Sequence, residues 1–320
     1  MSHRGHDAAQ REWDAAMAST RMHHGWILAG LKGLGKGAFA RAAAARLVAE
    51  PGVPQPDPAN HPDIHVLDHL PASDAEEEKK AEGKPYLVKR NITIDQVRRM
   101  QGRLVTRPTL GSRRAVIIDP ADDMEKNAVN ALLKSLEEPP RGTYFLLVSH
   151  RPGRLLPTIR SRCRILRFAP LGDEEIARIL AAAAPEADAQ TRAAAIAAAE
   201  GSPGAALDFL GHDLGRVHAL MLRILREGDG DLDLRSALAD EIGARPDRER
   251  QVAVADLARA VLAGELAGAG RERQGRIITA HGAIVRLGSQ IPTFNFDPGL
   301  LVMEIGALLA SAAMPRETAT

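Results

Sequence analysis

The sequence predicts an α/β fold: a parallel sheet with helices on both faces, followed by helices alone. Three observations carry this expectation. Strand-like runs at Trp26–Ala29, Ile64–Leu67, Ala115–Ile118, Tyr144–Val148 and Ile165–Phe168 alternate with helix-like stretches as far as about residue 169, which is the pattern of a covered parallel sheet. Most of these runs are continuously apolar, as strands buried on both faces require. After Pro170 the strand pattern stops and only helical stripes follow. Composition agrees: 45% hydrophobic and 26% charged residues describe a folded globular chain, and only 3% aromatic residues beside abundant Ala and Leu favour helices. A length of 320 residues suggests two or three domains. The expected division is an α/β domain over 1–169, a small helical domain over 170–211 and an all-helical domain over 212–320.

Each element has a local reason. Trp26–Ala29 ends in a glycine cluster, Gly30–Gly37, and an Ala-rich helix follows from Ala38 to about Ala49. Prolines 51, 54, 56, 58 and 62 make the next segment irregular. Ala72–Pro85 is charged and poor in apolar residues and is expected to be a solvated excursion. Ile94–Leu104 reads as a helix started by Thr93 or Asp95. Val129, Leu132, Leu133 and Leu136 form a helical stripe stopped by Pro139-Pro140. In the helical part, Asp173–Ala184 and Asp188–Glu200 are helices, the second capped by Asp188 and ended by Gly201. Leu214, Val217, Met221, Ile224 and Leu225 form one further stripe, Val254, Leu257 and Val261 another, and a last helix runs from about Pro298 to Ala310.

Charge and cysteine content exclude several classes. There are 42 Lys and Arg against 41 Asp and Glu, so the formal charge is +1 and bulk charge cannot hold nucleic acid. A single cysteine, Cys163, rules out an internal disulfide and a multi-thiolate zinc site. There is no apolar run of the length a membrane span needs. Met1–Arg21 has no apolar core of a secretory signal. A soluble, cytoplasmic protein is expected.

The glycine cluster Gly30-Leu31-Lys32-Gly33-Leu34-Gly35-Lys36-Gly37 fits G-x-x-x-x-G-K, the phosphate-cradling P-loop, with Gly where Ser or Thr belongs. Between a strand and a helix, such a loop aims backbone N–H groups at a phosphate while the lysine neutralises its oxygens. The missing hydroxyl is the one that ligates the Mg²⁺ bridging the β- and γ-phosphates. Asp119 ends a buried strand where a second metal-coordinating carboxylate belongs. The residue after it is Pro120 rather than the Glu that would activate water. Asp122 and Asp123 are expected to cap the following helix. The pattern is that of an ATPase fold that has lost its chemistry. Gly30, Gly33, Gly35, Lys36, Gly37 and Asp119 form a degenerate nucleotide site.

Asn130-Ala131-Leu132-Leu133-Lys134-Ser135-Leu136-Glu137-Glu138-Pro139-Pro140 and Thr158-Ile159-Arg160-Ser161-Arg162-Cys163 resemble the AAA+ subunits of the bacterial sliding-clamp loader of DNA polymerase III. Gly201-Ser202-Pro203-Gly204-Ala205-Ala206 shares the resemblance, which covers about residues 20–210. Asn295-Phe296-Asp297-Pro298 resembles the lead-in to the last helix of the family's collar. The resemblance implies a P-loop AAA+ domain, a helical lid and an all-α collar. It makes Arg162 an arginine finger acting in trans on a neighbour's ATP, and puts Ser149 at the polar sensor-1 position. The sensor-2 arginine of active motors falls near Gly204, which has no side chain to offer. The implied role is a non-hydrolysing subunit of a complex with DNA-directed DNA polymerase activity. The implied partners are the gamma/tau motor subunits and delta, with the sliding clamp and primed DNA reached through the complex. No cofactor is required: ATP binds weakly at most, and neither magnesium nor zinc is expected. Two competing readings are a motor subunit that hydrolyses ATP itself and an AAA+ adaptor outside replication.

Several residues have plainer readings. Many relatives carry a four-cysteine zinc module after the P-loop helix; this chain has Pro51–His69 there, without cysteine. His61, His65 and His69 would share a face only on a helix, which Pro62 argues against. Cys163 reads as a small buried hydrophobe. His23 and His24, before the first strand, fit either packing or the neighbourhood of an adenine ring. The arginines at 151, 154, 164 and 167 read as a solvated rim.

Overall fold

The computed structural model describes residues 5–84, 86–291, 294 and 296–313; Pro85 and Asn295, both in segments singled out above, lie outside them. The chain forms two compact units, Met1–Leu171 and Gly172–Thr320.

The first unit is built on five parallel strands: β1 (Gly25–Ala29), β2 (Ile64–Leu67), β3 (Arg114–Ile118), β4 (Thr143–Ser149) and β5 (Arg164–Arg167), in the order β2-β3-β4-β1-β5. Its helices are α1 (Asp7–Ala18), α2 (Lys36–Val48), α3 (Asp74–Ala81), α4 (Ile94–Leu104), α5 (Lys126–Glu137) and the single turn α6 (Pro157–Arg160). Successive strand residues face opposite ways, so the continuous apolar runs feed two cores. Trp26, Leu28, Leu146, Val148 and Leu166 face α1 and α2 with Trp13, Phe39 and Leu47. Ile27, Ala29, Val116, Ile118 and Leu147 face α4 and α5 with Val97, Met100, Leu132 and Leu136.

Two elements of this unit depart from expectation. The polar amino-terminal stretch contains α1, whose Ala9, Trp13 and Ala16 are buried; Trp13 stands edge-on to Trp26 and Phe39. The charged excursion 72–84 contains α3, capped by the Ser73 hydroxyl and carrying acids in its first turn and lysines in its last, as the helix dipole favours. Glu76 turns inward there and accepts from the Leu87 N–H at 2.6 Å and from Lys79 at 2.7 Å.

At the amino end of the sheet, Asp63 and Arg114 are both buried, with Oδ1 and Nε 4.0 Å apart. Asp63 accepts from the N–H groups of Thr109 and Leu110 at 2.7 and 2.8 Å, and Arg114 Nη1 donates to the Arg103 carbonyl at 2.9 Å.

The second unit is helical throughout its described residues: α7 (Asp173–Ala183), α8 (Ala189–Ala198), α9 (Pro203–Gly211), α10 (Gly215–Glu227), α11 (Asp233–Ile242), α12 (Arg248–Leu266), α13 (Arg271–Gln290) and α14 (Pro298–Ser311). Asp188 caps α8 by accepting from the N–H groups of Gln190 and Thr191, and Asp297 caps α14 at Leu300. Val217, Met221, Ile224 and Leu225 of α10 and Val254, Leu257 and Val261 of α12 are buried, as their spacing requires. Among the described residues, no helix is long and apolar enough to cross a membrane.

Candidate functional site: a P-loop at one end of the sheet and Arg162 at the other

Every strand runs the same way, so the loop after β1, Asp119 after β3 and Ser149 at the end of β4 meet at the carboxyl edge, where open α/β sheets bind ligands. Gly33 and Gly35 take φ of 80° and 74°, values that suit glycine. A Cβ on Gly30 would collide with the Phe168 carbonyl. Phe39 is bonded to the Gly35 carbonyl at 2.9 Å, so the N–H groups of 36–38 form the unpaired first turn of α2.

Lys36 is 2% exposed and donates to the carbonyls of Gly30 at 2.8 Å and Leu31 at 2.5 Å. Burial pushes its ammonium down to about 8, against the opposing pull of Asp119 and Asp122. Asp119 pairs with Arg41 of α2, Oδ2 to Nη1 3.2 Å. A Cβ on Gly37 would collide with that same Oδ2 and sit 3.1 Å from Arg41 Nη1. The space that a Ser or Thr side chain needs is thus taken by the Asp119–Arg41 pair.

Asp122 does not cap α5. It accepts from the Ser149 hydroxyl at 2.8 Å and from the N–H groups of His150 and Arg151 at 2.5 and 3.2 Å. The reason is geometric: Ala121–Asp123 form a 3-10 turn that Met124 and Glu125 separate from α5, and Glu125 holds the cap position without a side-chain bond. Asp123 faces His69, 3.3 Å from its Nε2. Ser149 is fully buried, and its hydroxyl proton is directed to Asp122. Burial, with the Lys36 charge adding to it, holds the His150 imidazole below its usual value.

The loop therefore retains the groups that cradle phosphate: the backbone turn, the helix start and Lys36. It lacks the hydroxyl at position 37 that would hold a metal, and Pro120 cannot activate water. A bound nucleotide would be held by Gly33, Gly35 and Lys36, whose donors suit phosphate oxygens.

Arg162 and Cys163 precede β5 at the opposite, amino edge. A Cβ on Gly25, the first residue of β1, would sit 3.0 Å from the Arg162 carbonyl and 2.9 Å from Cys163 Sγ. Arg162 Nη2 lies 2.5 Å from Glu137 Oε1, and Nη1 donates to the Thr158 carbonyl at 2.9 Å and to the Ser161 hydroxyl at 3.3 Å. Burial pushes the Cys163 thiol up to about 12, in keeping with a small packing residue.

The remaining sequence candidates fall as follows. His23 and His24 lie at the amino edge, away from the loop; His24 Nε2 bonds the Leu136 carbonyl at 2.9 Å. The residue found beside the loop is His6, whose Nε2 lies 2.8 Å from the Leu34 carbonyl and whose ring meets Phe168 edge-on. Neither His6 nor Arg41 carries a sequence signal, since His6, just ahead of α1, and Arg41 of α2 reach the site only through packing. His61 is buried on Gln55 and on the Asp63 N–H, His65 sits within β2, and His69 is at Asp123. Among the described residues, no group of three or more His, Cys, Asp or Glu is arranged to hold a metal ion. Gly204 is the second residue of α9.

A parallel sheet of this order, a glycine loop opening α2 and an acid at the end of β3 define a P-loop α/β protein of the AAA+ type, followed by a helical region. A solved structure of a DNA polymerase III gamma subunit-related protein from Thermotoga maritima shares this fold with a TM-score of 0.50 at 18% identity, over 94% of this chain and 98% of that one. The chain belongs to the family described as DNA polymerase III, delta subunit, whose model matches residues 5–172. It is similar to DNA polymerase III subunit delta' of Pseudomonas aeruginosa, 37% identical over 210 residues, 61% of this chain and 58% of that protein. The delta' subunit of Escherichia coli is 30% identical over 204 residues, 60% of this chain and 56% of that protein. The match thus spans little more than half the length of these relatives.

Proposed function

We propose that the chain is a non-hydrolysing subunit of the DNA polymerase III clamp loader. It supports ATP-driven loading of the sliding clamp on primed DNA and lends Arg162 in trans to a neighbour's ATP site. The observation that carries this reading is the separation of Arg162 from its own loop. They lie at opposite ends of β1, whose four steps of about 3.3 Å outrun an arginine side chain. That distance keeps the guanidinium from its own loop and supports a role on a phosphate brought by another subunit, where it would stabilise the charge that develops on phosphoryl transfer. Gly37, Pro120 and Gly204 support the companion claim that this chain does not hydrolyse ATP.

In this reading the partners are the gamma/tau motor subunits and delta, residues 170–211 act as a lid and 212–320 pack into a collar, all in the cytoplasm. No cofactor is needed: ATP binds weakly at most, without magnesium, and zinc plays no part. The test is ATP hydrolysis by the complex assembled with and without Arg162→Ala. The site served by Arg162 should slow on the order of 10³-fold while assembly survives; an unchanged rate sinks the finger assignment. The retained Lys36 and loop geometry favour one alternative, a motor subunit. Turnover by the isolated chain that Lys36→Ala abolishes would replace the proposal with it.

A further inference from the structure

The surroundings of Arg162 carry a further inference, which rests on the function proposed above. The guanidinium is drawn back onto its own chain: Nη2 meets Glu137 at 2.5 Å, while Nη1 is turned to the Thr158 carbonyl one helical turn earlier and to Ser161. Two of its nitrogens are thereby spent inside the subunit, and its side chain is only 33% exposed. Glu137 is the last residue of α5. A carboxylate is disfavoured at a helix carboxyl end, so its position there is offset by the cation it faces. The same carboxylate opposes the use of Arg162 on a phosphate, because a guanidinium held by one anion must let go to grip another bidentately.

We propose that Glu137 stows the finger: it is a positioning residue that holds Arg162 against α5 and α6 until a neighbour's ATP competes for it. The pair is about one-third to one-half exposed, and ion pairs of that kind are weak. The latch is therefore breakable, and docking against a phosphate releases it.

The test uses the complete complex and a double-mutant cycle. Glu137→Gln keeps the side-chain shape and removes the charge. It should raise kcat for ATP hydrolysis about two- to five-fold, the range expected for losing such a pair, with KM for ATP unchanged. In an Arg162→Ala background the same substitution should do nothing, since there is no finger to stow. A fall or no change in kcat with Glu137→Gln overturns the proposal, and so does an effect that persists without Arg162, which would mean altered packing of α5. If Arg162→Ala by itself leaves hydrolysis unchanged, the finger reading fails and this inference falls with it. If Arg162→Ala slows hydrolysis while Glu137→Gln does not raise it, only the stowing role is lost.

Discussion

The two ends of the sheet have met opposite fates. At the carboxyl edge the polar groups satisfy one another: Lys36 bonds the Gly30 and Leu31 carbonyls, Asp119 bonds Arg41, and Asp122 binds Ser149 and the following backbone. At the amino edge, Arg162 keeps a partly exposed guanidinium on a surface ion pair ahead of β5, while Asp63 and Arg114, at β2 and β3 on the far side of the sheet, are sealed inside. With Gly at position 37, the polar groups around the loop close on one another, because buried donors and acceptors left unpaired are costly. A partly exposed ion pair costs little to rearrange, so Arg162 remains movable.

The contrast can be broken at several points. The largest stability effect is expected at the amino edge. Asp63→Ala leaves Arg114 buried without its counter-charge and strips the Thr109 and Leu110 N–H groups of their acceptor, which should cost about 3–5 kcal/mol in urea unfolding. A loss under 1 kcal/mol would show that the pair does not hold the edge together.

Lys36 comes next and is read through pH. Its folded value is lowered from 10.5 to about 8, so between those values the unfolded chain holds more protons than the folded one. Stability from this group therefore rises with pH across that window and is flat below it, where both states are charged. The difference in unfolding free energy between wild type and Lys36→Met should change in that window and nowhere below it. Parallel curves would mean that the ammonium is not desolvated.

Placing a hydroxyl at position 37 is expected to be a smaller perturbation. Gly37→Ser places a Cβ against Asp119 Oδ2 and must break the pair with Arg41, a loss of about 1 kcal/mol for a partly exposed pair. In an Asp119→Ala background that cost should vanish; if it persists, the clash lies elsewhere. The mildest probe is Cys163, whose thiol stands at about 12. Ellman's reagent at pH 8 should leave the native chain unlabelled and label it once urea unfolds it. Rapid native labelling would show the β5 lead-in to be open.

Much of the helix and strand pattern was legible because its causes are local. The continuous apolar runs of β3 and β4, the Asp188 cap and the helix start at Thr93 each lie within a few residues of chain. The glycine loop was legible for the same reason, since its backbone conformation is set residue by residue. The stretch before β1 was not, because α1 buries only Ala9, Trp13 and Ala16, a stripe too sparse to stand out among its charged neighbours. Asp122 was misassigned because two acids before a helix look like caps, and only the return of β4 beside β3 brings Ser149 within its reach.

The sequence by itself determined the strands, most of the helices, the absence of a hydroxyl at Gly37 and the presence of an arginine at 162, since these are matters of residue identity and short-range periodicity. Only the tertiary structure decided that Lys36 and Arg162 stand at opposite edges, that Arg41 and His6 join the loop, and that Glu137 holds Arg162. Those facts depend on parallel strands packing side by side, which brings together residues far apart in the chain.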